Sequence, residues 1–255
     1  MPSTLKSDPN GSFVDQVYPF IWKELHSPSH NYVSFHMEDW PQVSAFTYRL
    51  KGMSNLTAHH YMRAYQTALW KRVSSAYFSG RDDFCIGNLK RHRKALNLLT
   101  EFIETYRNTS HPYLAIMHYI ENSHDGNDRA HQLDDDLIYF LKDNFKRGSF
   151  KNTAIFLYSD HGARFSTERM TSQGYLEERM PFFSIYLPDS FRNQNPDKLI
   201  NLIHNSQQLT TALDAHQTIR KLIIFIFFYL LTEMNLCIQK YLLLFIKSNS
   251  IFRNK

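Results

Sequence analysis

Glycine is scarce in this chain, 8 of 255 residues, so a phosphate-cradling glycine loop is excluded as its organising motif. Cysteine occurs twice, at Cys85 and Cys237, far apart and without metal-ligand spacing. That excludes a zinc knuckle, a redox pair and a disulfide-stapled miniprotein, and leaves a single disulfide between them open. No Gly-x-Ser-x-Gly elbow is present, and no cysteine has a catalytic context. No apolar run is long enough for a bilayer: the longest, Leu222 to Leu231, stops before Glu233. Met1 to Gly11 is polar and holds Pro2 and Pro9, so neither a signal peptide nor an anchor helix is expected in this chain.

What is present is a core. With 43% hydrophobic, 15% aromatic and 21% charged residues, the chain holds one compact domain of ordinary size or two small ones, which excludes disorder and a collagen-like repeat. The formal charge of +5 is unevenly placed. From Leu222 onward Lys240, Lys247, Arg253 and Lys255 face only Glu233, so the tail carries +3 of that surplus. The densest basic cluster, Lys90, Arg91, Arg93 and Lys94, opens a helix and reads as a solvated face; no basic stripe interleaved with aromatics follows it, and nucleic acid is not an expected partner. Sequons at Asn10, Asn55 and Asn108 lean toward a secretory history for the full-length protein.

Along the chain, residues 1 to 16 read as a disordered lead, Pro19 to Leu25 as a helix and Asn31 to His36 as a strand. Glu38 to Leu56 is loop-like, and Tyr61 to Tyr77 is helical. Leu96, Leu99, Phe102, Ile103 and Tyr106 recur at helical spacing within Leu89 to Tyr106. Tyr113 to Tyr119 and Thr153 to Tyr158 are short apolar runs between turn signals, the mark of buried strands. Between them Leu133 to Phe145 forms a helix, with Asp134, Asp135 and Asp136 in its first turn and Arg147-Gly148 closing it. Arg179 to Leu187 is expected as a further strand, and Ser206 to Leu222 as a loop with a capped helix, Asp214 being its N-cap or a partner for nearby main-chain donors. Helix, strand, loop, helix, strand is the grammar of an α/β fold with a parallel sheet covered on both faces. The tail from Leu222, built of Ile, Leu, Phe, Tyr, Asn and Lys without a clear period, reads as an aberrant apolar segment, translated intron sequence rather than native protein.

Ligands gather at the carboxyl ends of the strands in open α/β sheets. Asp160-His161-Gly162 emerges there, after the second buried strand. A carboxylate followed by an imidazole presents one oxygen and one nitrogen to a divalent metal, and the glycine lets the backbone turn close to the ion. Asp160 and His161 are therefore the candidate metal ligands, with zinc, manganese or calcium as the cofactor. The loop after the first buried strand carries His124, Asp125 and Asp128 on the same sheet edge, and His124 is the candidate catalytic group, a leaving-group acid or an anion ligand. A solvated turn is the bland alternative for that loop. Glu38 and Asp39 either point into a cleft or cap a loop; of the adjacent His59 and His60, at most one is a ligand. Arg164, Arg169 and Arg179 are expected to pair with Glu168, Glu177 and Glu178, and His216 to be a solvated residue at a helix start.

Three linked blocks, Tyr158-Ser-Asp-His-Gly-Ala-Arg-Phe165, Gln173-Gly-Tyr-Leu-Glu-Glu-Arg-Met-Pro181 and Leu209-Thr-Thr-Ala-Leu-Asp-Ala-His-Gln-Thr218, resemble the DUF229 family, which is abundant in nematodes and other invertebrates and similar to the sulfatase and alkaline-phosphatase superfamily. Tyr18-Pro-Phe-Ile-Trp-Lys-Glu24, Glu38-Asp-Trp-Pro41, Tyr48-Arg-Leu-Lys-Gly52 and His60-Tyr-Met-Arg63 follow the same family order, so the resemblance covers about Tyr18 to Lys221. It implies an alkaline-phosphatase-like three-layer sandwich with a central, mostly parallel sheet, a metal near Asp160 and His161, and a phosphate or sulfate ester as substrate. It also implies an incomplete domain over residues 17–221, because the superfamily's N-terminal Asp and its nucleophile lie ahead of the equivalent of Tyr18. The fragment is then expected to be inactive alone. Where sulfatases place a Lys and a His to hold sulfate, this chain has Glu38 and Asp39. The alternative function is a non-catalytic extracellular binding domain on the same fold.

Overall fold

The structure is a computed structural model, and it describes residues 11–26, 31–82, 84–125, 129–165, 167–232 and 240–246. The first elements are α1 (Val14–Val17), α2 (Ile21–Leu25), β1 (Val33–Glu38), β2 (His60–Tyr61) and α3 (Arg63–Phe78). Next come β3 (Cys85–Ile86), β4 (Leu89–Lys90), α4 (Arg91–Tyr106), β5 (Tyr113–Tyr119), α5 (His131–Lys146) and β6 (Thr153–Tyr158). A 3-10 turn (Thr167–Met170) then leads to α6 (Ser172–Arg179), β7 (Phe183–Tyr186), α7 (Asp189–Gln194), α8 (Pro196–Asn205), α9 (Ala212–Thr232) and β8 (Lys240–Ile246).

The main sheet has the order β2-β1-β5-β8-β6-β7. Every pairing in it is parallel except that of β6 with the edge strand β7. Side chains alternate across a strand, and here the alternation sorts two cores. Phe35, Met37, Ala115, Met117, Tyr119 and Ile155 pack under Leu96, Leu99 and Ile103 of α4 and Leu133, Leu137 and Phe140 of α5. On the opposite face Leu114, Ala154 and Phe156 meet Leu25 of α2, Phe191 of α7 and Ile219 of α9. Helices thus lie on both faces of a mixed, mostly parallel sheet, the α/β arrangement that the alternation of elements predicts.

Local pattern placed β5 and β6 to the residue. It did not reveal the β3–β4 hairpin, which takes up the start of the expected helix at Leu89. Nor does the basic cluster there form a wholly solvated face. Arg91 is 4% exposed and His92 is fully buried, because Arg91 donates to Asp82 and to Glu121 (Nε to Oε2, 3.0 Å) while His92 Nε2 meets Asp136 Oδ2 at 2.8 Å. Asp214 is the partner of a main-chain donor rather than the N-cap at the start of the C-terminal helix. Thr211 is its N-cap and Asp214 the third residue, each bonded to the other's backbone in a capping box, with Thr211 N–H donating to Asp214 Oδ2 at 2.8 Å. Of the expected disordered lead, residues 1–10 lie outside the described residues; beyond them α1 forms, and its Asp15 carboxylate accepts from Ser54 N–H and Oγ–H at 2.7 and 2.6 Å. Within the tail, α9 runs on to Thr232 and the backbone of β8 occupies the middle of the sheet. Cys237, Asn10 and Asp128 lie outside the described residues.

Candidate functional site

Because β1, β5 and β6 run parallel, their carboxyl ends reach one sheet edge, carrying Glu38-Asp39, Ile120 to Asp125, and Ser159 to His161. The end of β6 is clamped first. Ser159 N–H donates to the Phe182 carbonyl at 2.9 Å, and Phe182 N–H donates back to Ser159 Oγ at 3.0 Å. From this fixed point the next residues form a local cluster. Asp160 Oδ1 accepts from His161 N–H at 2.9 Å, and His161 Nδ1–H donates to the Gly162 carbonyl at 2.6 Å. In the neutral ring that bond keeps the proton on Nδ1 and makes Nε2 the nitrogen with the lone pair. His161 Nε2 is buried with no hydrogen-bond partner, and Asp160 Oδ2 stands 3.6 Å from it.

Gly162 packs closely against the end of α6. Its N–H donates to the Glu178 carbonyl at 2.9 Å, and a β-carbon placed on it would meet the Glu177 carbonyl carbon at 2.7 Å and Glu178 Cα at 2.8 Å. Only glycine lets the last turn of α6 lie against the site loop. Glu178 in turn accepts from Arg169 Nε at 2.8 Å and Arg179 at 2.9 Å, and these contacts hold its carboxyl below the usual range. The expected ion pairing therefore holds for these two arginines. Arg164 differs: it stacks over the Phe165 ring at 5.7 Å and has no acidic partner among the described residues.

His124 sits on the turn after β5, its N–H donating to the Ile120 carbonyl at 2.9 Å. Its Nδ1 meets Asp125 Oδ1 at 2.6 Å, and Asp125 also accepts from the Tyr77 hydroxyl at 2.9 Å. The imidazole packs edge-on to Trp40 at 5.4 Å and against Phe165 at 5.7 Å, so the β5 and β6 loops touch through this ring pair. Asp160, His124, Arg164 and Phe165 line one cleft with Glu38 and His118, while the His161 ring folds back onto its own loop.

The two early acids part company. Asp39 is a backbone cap: its carboxylate accepts from Ile120 N–H at 3.0 Å and Glu121 N–H at 2.7 Å, joining the ends of β1 and β5. Burial, and then the nearby Glu121 charge, push its carboxyl well above the ordinary value. Glu38 lies on the cleft side. It accepts from Ala45 N–H at 2.9 Å, meets His118 Nδ1 at 3.4 Å and stands 3.9 Å from His36 Nε2. Sequence reasoning named neither His36 nor His118. The available signal was a polar residue at every second position of β1, with His118 as its register partner on β5. His59 and His60 face apart, the first bonding Ser34 and the second Tyr106. His216 is exposed and, with Asp214, lines the same cleft.

Among the described residues no group of three or more His, Cys, Asp or Glu side chains is arranged to hold a metal ion; Asp160 and His161 stand as a pair. No described helix is long and apolar enough to cross a membrane. Neither a curated protein nor a solved structure matches the chain. A family model, Protein of unknown function (DUF229), matches residues 3–226, and the chain belongs to that family.

Proposed function

We propose that this chain carries the metal-holding and proton-handling side of a phosphate- or sulfate-ester hydrolase site on an alkaline-phosphatase-like sandwich. The observation that carries the reading is the buried, unpartnered Nε2 of His161 beside the Asp160 carboxylate. A buried nitrogen without a partner is costly, and its cost is removed if a cation accepts the lone pair. The donor set, one imidazole nitrogen and one carboxylate oxygen, suits zinc, manganese or calcium to different degrees, zinc best. Such an ion would polarise an ester oxygen.

The chain's own residues do the rest. Gly162 and the Ser159 clamp fix the loop that presents Asp160 and His161. His124, its Nδ1–H held by Asp125, would act as the imidazolium, giving its Nε2 proton to the departing oxygen and being left as the neutral ring. The His124–Phe165 contact keeps water from one side of the ring. On this reading the full-length protein is secreted, and Asn55, exposed on a turn, is open to glycosylation.

A non-catalytic binding domain on the same fold is the second reading. Glu38 on the cleft wall favours it, since a buried carboxylate opposes an anionic ester. Titration of the protein with zinc, manganese and calcium, followed by thermal unfolding and calorimetry, separates the two. A metal-dependent rise in Tm that disappears in Asp160→Ala and His161→Ala supports the site. No rise with any of the three ions refutes it. Metal-dependent binding of inorganic phosphate or sulfate that weakens in His124→Ala then favours the ester site over the binder, a readout that needs no nucleophile from this chain.

A further inference from the structure

β5 and β6 follow one another in the chain, joined by α5, yet they do not pair. β8 stands between them, parallel to both. Its register runs from Tyr113↔Lys240 to Tyr119↔Ile246 on one side and from Thr153↔Lys240 to Tyr158↔Phe245 on the other. This central strand comes from beyond residue 226, where the family match ends. Among the described residues, the family-matched segment supplies no other strand for the place.

An empty place there would leave two facing rows of main-chain N–H and C=O groups unpaired in the middle of the fold, a costly arrangement. Neighbouring strands lie about 4.8 Å apart, so an intervening strand sets β5 and β6 at roughly twice that, about 9.6 Å. The same spacing governs how far apart the loops bearing His124 and Asp160 leave the sheet. The occupant has the composition the place requires. Lys-Tyr-Leu-Leu-Leu-Phe-Ile is free of glycine and proline and is apolar after Lys240, as strands of parallel sheets covered on both faces are.

We infer that the space between β5 and β6 is a strand-acceptor site for an extended apolar segment running parallel to both, that Lys240–Ile246 fills it in this chain, and that its occupancy sets the separation of the His124 and Asp160 loops. The clause on loop separation rests on the proposed ester-hydrolase site; strand acceptance does not.

Hydrogen exchange followed by mass spectrometry on the full chain tests it without reference to metal. The amides of 240–246 are expected to exchange as slowly as those of 113–119, and exchange at the rate of an unstructured peptide would overturn the inference. Leu243→Pro removes one ladder donor from the centre of β8 and is expected to speed exchange in both 113–119 and 153–158. Unchanged protection of those strands would overturn it as well. Metal binding lost in Leu243→Pro while it persists in the parent supports the loop-spacing clause, and metal binding kept at parental affinity refutes that clause alone.

Discussion

Replacing Gly162 with alanine tests whether the glycine of the Asp160-His161-Gly162 loop is there for packing. The added methyl would stand 2.7 Å from the Glu177 carbonyl carbon and 2.8 Å from Glu178 Cα, with the Glu177 oxygen closer still. Carbon atoms prefer about 3.6 Å, so loop and helix must separate by roughly 0.9 Å. The colliding atoms are backbone, so no rotamer change relieves them. Separation also stretches the bond from Gly162 N–H to the Glu178 carbonyl, now 2.9 Å. Overpacking costs about 1–3 kcal/mol and a lost hydrogen bond about 1 kcal/mol, giving about 3 kcal/mol at mid-range. For a chain of this size that lowers Tm by roughly 6–12 °C. Because the loop carries Asp160 and His161, the metal-dependent rise in Tm that the proposed site predicts should shrink with it. Gly148→Ala is the control: its φ is +69° and nothing lies within 4 Å of the added carbon, so only backbone strain of about 1–2 kcal/mol is expected, with metal response intact. An unchanged Tm for Gly162→Ala, measured by differential scanning calorimetry, would refute the packing argument.

Three further outcomes are expected. Arg91→Met leaves the buried Asp82 and Glu121 carboxylates without their shared cation and should cost about 3–5 kcal/mol in urea unfolding at neutral pH; a loss under 1 kcal/mol would show the network to be dispensable. Asp39→Ala strips the acceptor from two buried main-chain donors, Ile120 N–H and Glu121 N–H, and should destabilise by about 2–4 kcal/mol while speeding amide exchange at both positions. His36 is held below its ordinary value of 6.5, chiefly by burial and against the pull of Glu38. The unfolded chain therefore takes up a proton on His36 before the folded one does, so its stability contribution is complete above pH 6.5 and is lost as pH falls below it, at up to about 1.4 kcal/mol per pH unit. The difference between parent and His36→Gln in chemical denaturation should shrink from pH 7.5 to pH 5.5, and a difference that is flat across this interval would contradict the assignment.

Elements whose signals are local were legible in the order of residues alone. The apolar runs at Tyr113 to Tyr119 and Thr153 to Tyr158 gave strands of those bounds, and helical spacing from Leu96 to Tyr106 gave α4, because burial on one or both faces leaves a period in a short stretch of chain. The same logic put Asp160, His161 and His124 on one sheet edge, since parallel strands share the end at which they stop. What those ends do depends on contacts between distant segments. Glu38 and Asp39 are neighbours in sequence, yet one turns to His118 and the other to the N–H groups after β5, a choice set by a strand 80 residues away. Arg91 looks like one more surface cation until Asp82 and Glu121 close around it. The role of Gly162 depends on a helix sixteen residues further on, and the place of Lys240–Ile246 depends on two strands that leave room for it. Periodicity reports that a residue is buried; which distant atoms it is buried against is fixed only when strands pair and helices dock.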